Sequence, residues 1–469
     1  MSSAPFDLAI PRRIHVVGVG GPGMNAIATC LVQMGHVVSG SDIRESMVVE
    51  RMRSIGVMVN IGHDADVVSG CDAVVSSTAI PTSNIERERA RRDGIADLSR
   101  ADMLAAICSV AETLAVAGTH GKSTTTSLLV RIFEQAGRRP NFIVGADMID
   151  EGTGARWTGS ETLIVEADES DGTHLRLPLC GTVLTNIDSD HLDHYGSLDG
   201  IAEAFERYLA GVGGARGGLR VVCIDDPTIA GIVARHPELT WITYGSSESA
   251  DFWFDGVRSE HGVTEFTVHG PGGRRVHITS PLRGMHNVAN VTGAAALALS
   301  SGVEPEHVVE AVRSFGGVGR RFEIIGTADG ATFVDDYAHL PREIDAVLSA
   351  ARVSGDGWSR VVAVFQPNRY NRMSVMSAEY ADAFVGADVV ILTDIYASGT
   401  APIEGVTGRL VVDAVLARHP NTDLVWVQSR SDLAAAVDAI VRPGDVCISM
   451  GCGDIESLPL EVLALRSAR

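Results

Sequence analysis

The chain has 469 residues and a formal net charge of -21, enough at ~150 residues per domain for roughly three domains, each with its own core. So acidic a balance excludes a broad nucleic-acid surface, because a polyanion needs a basic face. Seven cysteines without a C-x-x-C pair fit unpaired thiols in a reducing cytoplasm and argue against zinc. Neither a signal-peptide core at residues 1–13 nor any apolar run of ~18 residues is present, which argues against a membrane location.

Ile14-His15-Val16-Val17 reads as a buried strand that runs into Gly18-Val19-Gly20-Gly21-Pro22-Gly23 and an apolar helix from Met24 to Met34. This G-x-G-x-x-G arrangement seats a pyrophosphate on a helix N-terminus. A second strand, Val37 to Ser41, ends at Asp42, close to the ~20-residue spacing at which an acid holds a nucleotide ribose. NAD and a UDP-sugar both carry a pyrophosphate and a ribose, so the pattern admits either. The alternative is that Asp42 merely caps the next helix. Asp72 to Pro81 reads as a further buried strand followed by a small-residue turn, with Ser76 and Ser77 at the carboxyl edge where open α/β sheets bind ligands. Arg100 precedes an apolar helix through Cys108, and a domain border falls near residue 110.

The strand-like stretch Leu114 to Ala117 then leads into Gly118-Thr119-His120-Gly121-Lys122-Ser123-Thr124 and a helix with Leu128, Leu129, Ile132 and Phe133 on one face, stopped by Gly137. Strand, glycine turn and helix together make a phosphate cradle, with Lys122 as its charge and Ser123 as a magnesium ligand. The general P-loop pattern has glycine where Val116 stands. A strand at Thr162 to Val165 ends in Glu166-Ala167-Asp168-Glu169-Ser170-Asp171, carboxylates that suit magnesium beside a nucleotide, with Glu166 the first choice and Glu169 alone more readily a solvated acid. Another strand, Thr182 to Ile187, meets Asp188-Ser189-Asp190-His191, and His191 could take a second metal or orient a phosphate oxygen. Asn290 opens an alanine-rich helix, where it reads as a cap.

A basic join, Gly316 to Phe322, precedes a last α/β region. Its first strand, Thr332 to Val334, meets Asp335-Asp336-Tyr337-Ala338-His339-Leu340-Pro341, and Val361 to Phe365 meets Gln366-Pro367-Asn368-Arg369-Tyr370-Asn371-Arg372. Polar clusters after apolar strands are expected of a parallel sheet presenting a site at its carboxyl edge. Arg369 and Arg372 could hold a carboxylate bidentately.

In order and motif these regions resemble the Mur ligases of peptidoglycan synthesis over essentially the whole chain, most of all the members that join L-alanine to UDP-N-acetylmuramate. The resemblance implies an α/β fold of three domains: a Rossmann-like N-terminal domain at 1–109, a central P-loop ATPase-like domain at 110–317 and a C-terminal Rossmann-like domain at 318–469. It implies that Gly18, Gly20, Gly21, Gly23, Asp42, Ser76, Ser77 and Arg100 hold the UDP-sugar rather than NAD. Gly118, Thr119, His120, Gly121, Lys122, Ser123, Thr124, Asn290, Arg321 and Asp335 contact the co-substrate ATP. Two Mg2+ ions are implied, on Ser123, Glu166 and His191, with Lys122, Glu166 and His191 catalytic. Tyr337, His339, Arg369 and Arg372 form the alanine pocket. A cytoplasmic monomer or homodimer without nucleic-acid or membrane partners is expected.

The pattern departs from the family at Leu340 and Asn368, where histidines are usual, and at Tyr396 to Thr400, which lacks the common proline and glutamate. Telling a methyl from a hydrogen draws on only ~1–3 kcal/mol, so these changes bear on which amino acid is taken. A ligase adding a preformed peptide is a second reading. A dehydrogenase would leave the cradle without a role, and a non-catalytic sensor would not need Lys122, Glu166 and His191.

Overall fold

The computed structural model describes residues 5–21, 23–190, 192–213 and 218–468. The first sheet contains β1 (Arg13–Val17), β2 (Val37–Asp42), β3 (Met58–Ile61), β4 (Ala73–Ser76) and β5 (Ala96–Ser99), all parallel in the order β3-β2-β1-β4-β5. The order reverses beside β1, which creates the switch point where such sheets bind ligands. Helices α1 (Met24–Gln33), α2 (Met47–Ser54) and α3 (Ile85–Arg92) connect its strands, and α4 (Arg100–Cys108) leads out of β5. Their starts are written in the sequence: Ser46 and Asn84 accept from backbone N-H groups of α2 and α3, and Ser99 with Asp102 forms a capping box on α4.

The second sheet has ten strands, in the order β15-β14-β13-β12-β11-β10-β6-β9-β7-β8. They are β6 (Glu112–Ala117), β7 (Asn141–Met148), β8 (Thr153–Arg156), β9 (Thr162–Glu166), β10 (Gly181–Leu184), β11 (Leu219–Cys223), β12 (Ile242–Gly245), β13 (Phe252–Glu260), β14 (Val263–Gly270) and β15 (Arg274–Ser280). Helix α5 (Lys122–Gln135) follows β6 directly, and Gly137 takes φ 73° just beyond its end. The third sheet runs β16-β17-β21-β18-β19-β20, with β16 (Glu323–Ala328), β17 (Ala331–Asp336), β18 (Arg360–Phe365), β19 (Val389–Thr393), β20 (Leu424–Val427) and β21 (Asp445–Met450). Its central strands are buried on both faces, as their β-branched runs require.

By contacts the chain forms two compact units, one of residues 1–255, 267–278 and 289–316, the other of 256–266, 279–288 and 317–469. Two strand readings need correction. The last region begins with β16, antiparallel to β17, whose mixed, partly exposed sequence hid it. The strand expected over 182–187 leaves its ladder after Leu184, because Thr185 and Asn186 bond to the glycine turn instead.

Candidate functional site

The turn between β6 and α5 is short and strained. Gly118 and Gly121 have φ 123° and 80°, and a Cβ on them would overlap the Thr185 hydroxyl and the Asn290 side chain respectively. Thr119 N-H donates to Asn186 O at 3.0 Å and His120 N-H to Asn186 Oδ1 at 2.8 Å. Thr185 Oγ1 and Asn186 Nδ2 return hydrogen bonds to His120 O at 2.7 and 3.0 Å, and His120 Nε2 lies 3.0 Å from Asp188 Oδ2. His120 thus braces the cradle, while Ser123 and Thr124 lie nearly buried in the first turn of α5.

Lys122 Nζ donates to Gly118 O (2.7 Å), Thr119 O (3.1 Å) and Glu169 Oε1 (2.9 Å). Burial works against the ammonium, but Glu169, Asp168 and Glu166 outweigh it and raise the lysine pKa. Glu169, the acid read as solvated, is in fact buried. Burial pushes its carboxyl up to about 7 with Lys122 opposing, and Tyr195 OH donates to its backbone oxygen at 2.5 Å. Sharing a loop with Glu166 was the available signal, but spacing does not say which carboxylate meets the lysine. Glu166, at the end of β9, accepts from Gly145 N-H at 2.8 Å.

Arg100 Nη2 donates to Asp168 Oδ2 and Asp171 Oδ2, both at 3.0 Å. Burial alone would raise Asp168, yet Lys122 and Arg100 hold it well below the usual carboxylate range. The same guanidinium flanks the glycine loop, with Nη1 3.3 Å from where a Cβ of Gly23 would stand. His191 lies outside the described residues. Among the described residues no group of three or more His, Cys, Asp or Glu is arranged to hold a metal.

In the first sheet Gly18 and Gly23 take φ 72° and 76°. Gly18 and Val19 N-H donate to Ser41 O at 2.8 and 3.0 Å, and Gly21 N-H to Gly18 O at 2.9 Å. Gly20 N-H donates to Asp42 Oδ2 at 2.9 Å. Since Ser46 caps α2, Asp42 serves the glycine loop and is not a helix cap. Ser76 is buried at the end of β4 and Ser77 begins the following turn, where Ile80 Cδ1 lies 3.5 Å from a Cβ built on Gly18.

The second unit carries the remaining residues in two clusters. Asp335 Oδ2 accepts from Arg320 Nε at 2.8 Å, and burial raises its pKa to about 6 against that guanidinium. Arg321 and Arg320 lie 5.0 and 5.1 Å from the centre of the Tyr337 ring, which meets the His339 ring edge-on at 5.4 Å. Arg320, in the basic join, also donates to Gly451 O at 2.7 Å and Glu456 Oε2 at 2.6 Å. Arg369 has φ 62° and donates its N-H to Tyr396 O at 2.9 Å. Arg372 Nη1 donates to the buried Asn368 Oδ1 at 2.8 Å, so that departure from the family pattern orients an arginine. Leu340 packs its side chain into the apolar core of the third sheet.

Comparison with known proteins finds the three regions of the chain in one family. Residues 13–111 match the Mur ligase family catalytic domain, 116–298 the Mur ligase middle domain and 320–453 the Mur ligase glutamate ligase domain. The UDP-N-acetylmuramate--L-alanine ligase of Pelobacter propionicus is 42% identical over 447 residues, covering 95% of this chain and 96% of that one. Its counterpart in Geobacter sp. is 40% identical over 444 residues, covering 95% of each. The crystal structure of the UDP-N-acetylmuramate-alanine ligase MurC from Thermotoga maritima superposes with a TM-score of 0.82 at 26% identity, covering 98% of this chain and 100% of that one. With its three α/β sheets, its glycine loop and its lysine cradle, the chain belongs to the Mur ligase family.

Proposed function

We propose that the protein joins L-alanine to the lactyl carboxylate of UDP-N-acetylmuramate at the expense of ATP, giving UDP-N-acetylmuramoyl-L-alanine, ADP and phosphate in cytoplasmic peptidoglycan precursor synthesis. The observation that carries this reading is Lys122, held at a glycine turn too tight for any Cβ and ringed by Glu166, Asp168 and Glu169. A dehydrogenase has no use for that arrangement.

In this reading residues 1–109, 110–317 and 318–469 serve as the three domains. The glycine loop at Gly18 to Gly23, with Asp42, Ser76, Ser77 and Arg100, holds the UDP-sugar. The turn N-H groups and Lys122 take the ATP phosphates, while Tyr337, His339, Arg369 and Arg372 hold the amino acid. The lactyl carboxylate attacks the γ-phosphorus, the bond to the ADP oxygen breaks, and an acyl phosphate forms; Lys122 offsets the charge gathered there. Alanine loses an ammonium proton, its amine attacks the acyl carbon, and the tetrahedral intermediate expels phosphate as the amide nitrogen gives up its second proton. Ser123 and Glu166 offer the hard oxygen donors that magnesium prefers, and fewer than three protein ligands suffices because Mg2+ commonly shares phosphate oxygens and water. With His191 they would hold two such ions, which when bound neutralise phosphate charge.

Phosphate release from ATP with magnesium and UDP-N-acetylmuramate, comparing alanine, glycine, serine and a peptide, tests the proposal. Alanine-dependent release that disappears in Lys122→Ala supports it. Release driven equally by the peptide would replace the amino-acid substrate, and none with any amine would sink the ligase reading.

A further inference from the structure

Glu86 is a fully buried carboxylate outside the residues assigned above. Its Oε2 accepts from Ser41 Oγ at 2.7 Å and lies 3.1 Å from His63 Nδ1 and 3.6 Å from His15 Nε2. Its Oε1 accepts from Asp64 N-H at 3.2 Å. A buried carboxylate is costly unless its oxygens are occupied, and here the four partners come from three segments: His15 on β1, Ser41 at the end of β2, His63 and Asp64 after β3. Glu86 therefore clamps three segments of the first sheet at its carboxyl edge.

Ser41 is the informative partner. Its hydroxyl is on Glu86, while its backbone oxygen receives the N-H groups of Gly18 and Val19 and the next residue, Asp42, receives that of Gly20. The adjacent Arg87 extends the brace, donating from Nη1 to Ile80 O at 2.9 Å in the turn beside Gly18. Consecutive residues in the first turn of α3 thus hold both loops that face the nucleotide-sugar.

We propose that Glu86 is a positioning residue for the sugar nucleotide, setting the glycine loop through the Ser41 hydroxyl; the inference rests on the reading that UDP-N-acetylmuramate binds that loop. Glu86→Gln and Ser41→Ala should each raise the KM for UDP-N-acetylmuramate about tenfold, roughly 1.4 kcal/mol. The kcat and the KM values for ATP and alanine should hold, and the double variant should be no worse than either single one, because one bond carries the effect. Gly20→Ala, which sets a Cβ 2.9 Å from Asp42 Oδ2, tests the underlying reading separately. If Gly20→Ala raises that KM while Ser41→Ala and Glu86→Gln leave it alone, the inference fails and the site stands. If Gly20→Ala also leaves it alone, the site assignment fails. Additive effects in the double variant, or a Ser41→Ala enzyme that loses kcat and all three KM values together, would also overturn it. Ser41→Ala carries the test by itself where Glu86→Gln does not fold.

Discussion

His174 offers a quantitative test of how the acidic loop is packed. It sits in the short turn Thr173–Arg176, almost fully buried, with the Phe205 and Tyr208 ring centres at 5.3 and 5.4 Å. Among the described residues neither ring nitrogen has a hydrogen-bond partner. A neutral imidazole always carries one N-H, so a buried donor is left unmade at a cost of about 1–3 kcal/mol. Burial lowers the pKa from 6.5 to about 4. Between those values the unfolded chain binds a proton that the folded one refuses, so stability is retained above 6.5 and lost as pH falls toward 4. At about pH 5 this one group costs about 2 kcal/mol relative to about pH 8, or about 3 °C in a unit of roughly 300 residues. Glu169 works the other way, since its raised pKa contributes stability below its ordinary 4.5 that disappears as pH rises through about 7. That contribution is common to both proteins in the comparison and cancels. His174→Phe keeps a ring between the same neighbours and removes the titration. Melting temperatures by circular dichroism across this pH range should show the variant at least as stable near neutrality and losing less on acidification, by about the same 3 °C. Parallel pH curves for the two proteins would refute the reasoning.

Gly121→Ala sets a Cβ against the Asn290 side chain at φ 80°; it should cost about 1–3 kcal/mol of stability and lower phosphate release at least ~10-fold, while UDP-N-acetylmuramate binding, measured by calorimetry, persists. Glu169→Gln removes the only carboxylate bonded to Lys122 Nζ among the described residues. Breaking a largely buried pair costs about 3 kcal/mol, so the melting temperature without nucleotide should fall, and the rise on adding ATP should exceed that of the unmodified protein. Asn368→Leu deprives Arg372 of its Oδ1 acceptor; a hydrogen bond to a charged group is worth about 1.5–3 kcal/mol, so the KM for alanine should rise at least ~10-fold with that for ATP unchanged in steady-state assays.

What could be read in advance follows from how local each feature is. The cradle and the glycine loop were legible because strand, glycine turn and helix are contiguous, and glycine at φ 123° or 80° leaves no choice of residue. The strands β13 to β15 and the edge strand β16 were not, since half-exposed strands lack the unbroken apolar runs of β19 or β21. The partners that set the chemistry are mostly distant in sequence. Glu169 meets a lysine 47 residues away, Asp335 is paired by Arg320 across 15, and Glu86 reaches Ser41 across 45. A motif says where charge must be supplied, and the fold decides which carboxylate supplies it. That division explains why Leu340 and Asn368, equal departures by pattern, have unequal consequences. Leu340 faces the core of the third sheet, where an apolar residue only adds packing. Asn368 accepts from Arg372 and is bridged to Tyr396, so on the proposal that Arg372 holds the amino acid, a change at Asn368 would be felt there.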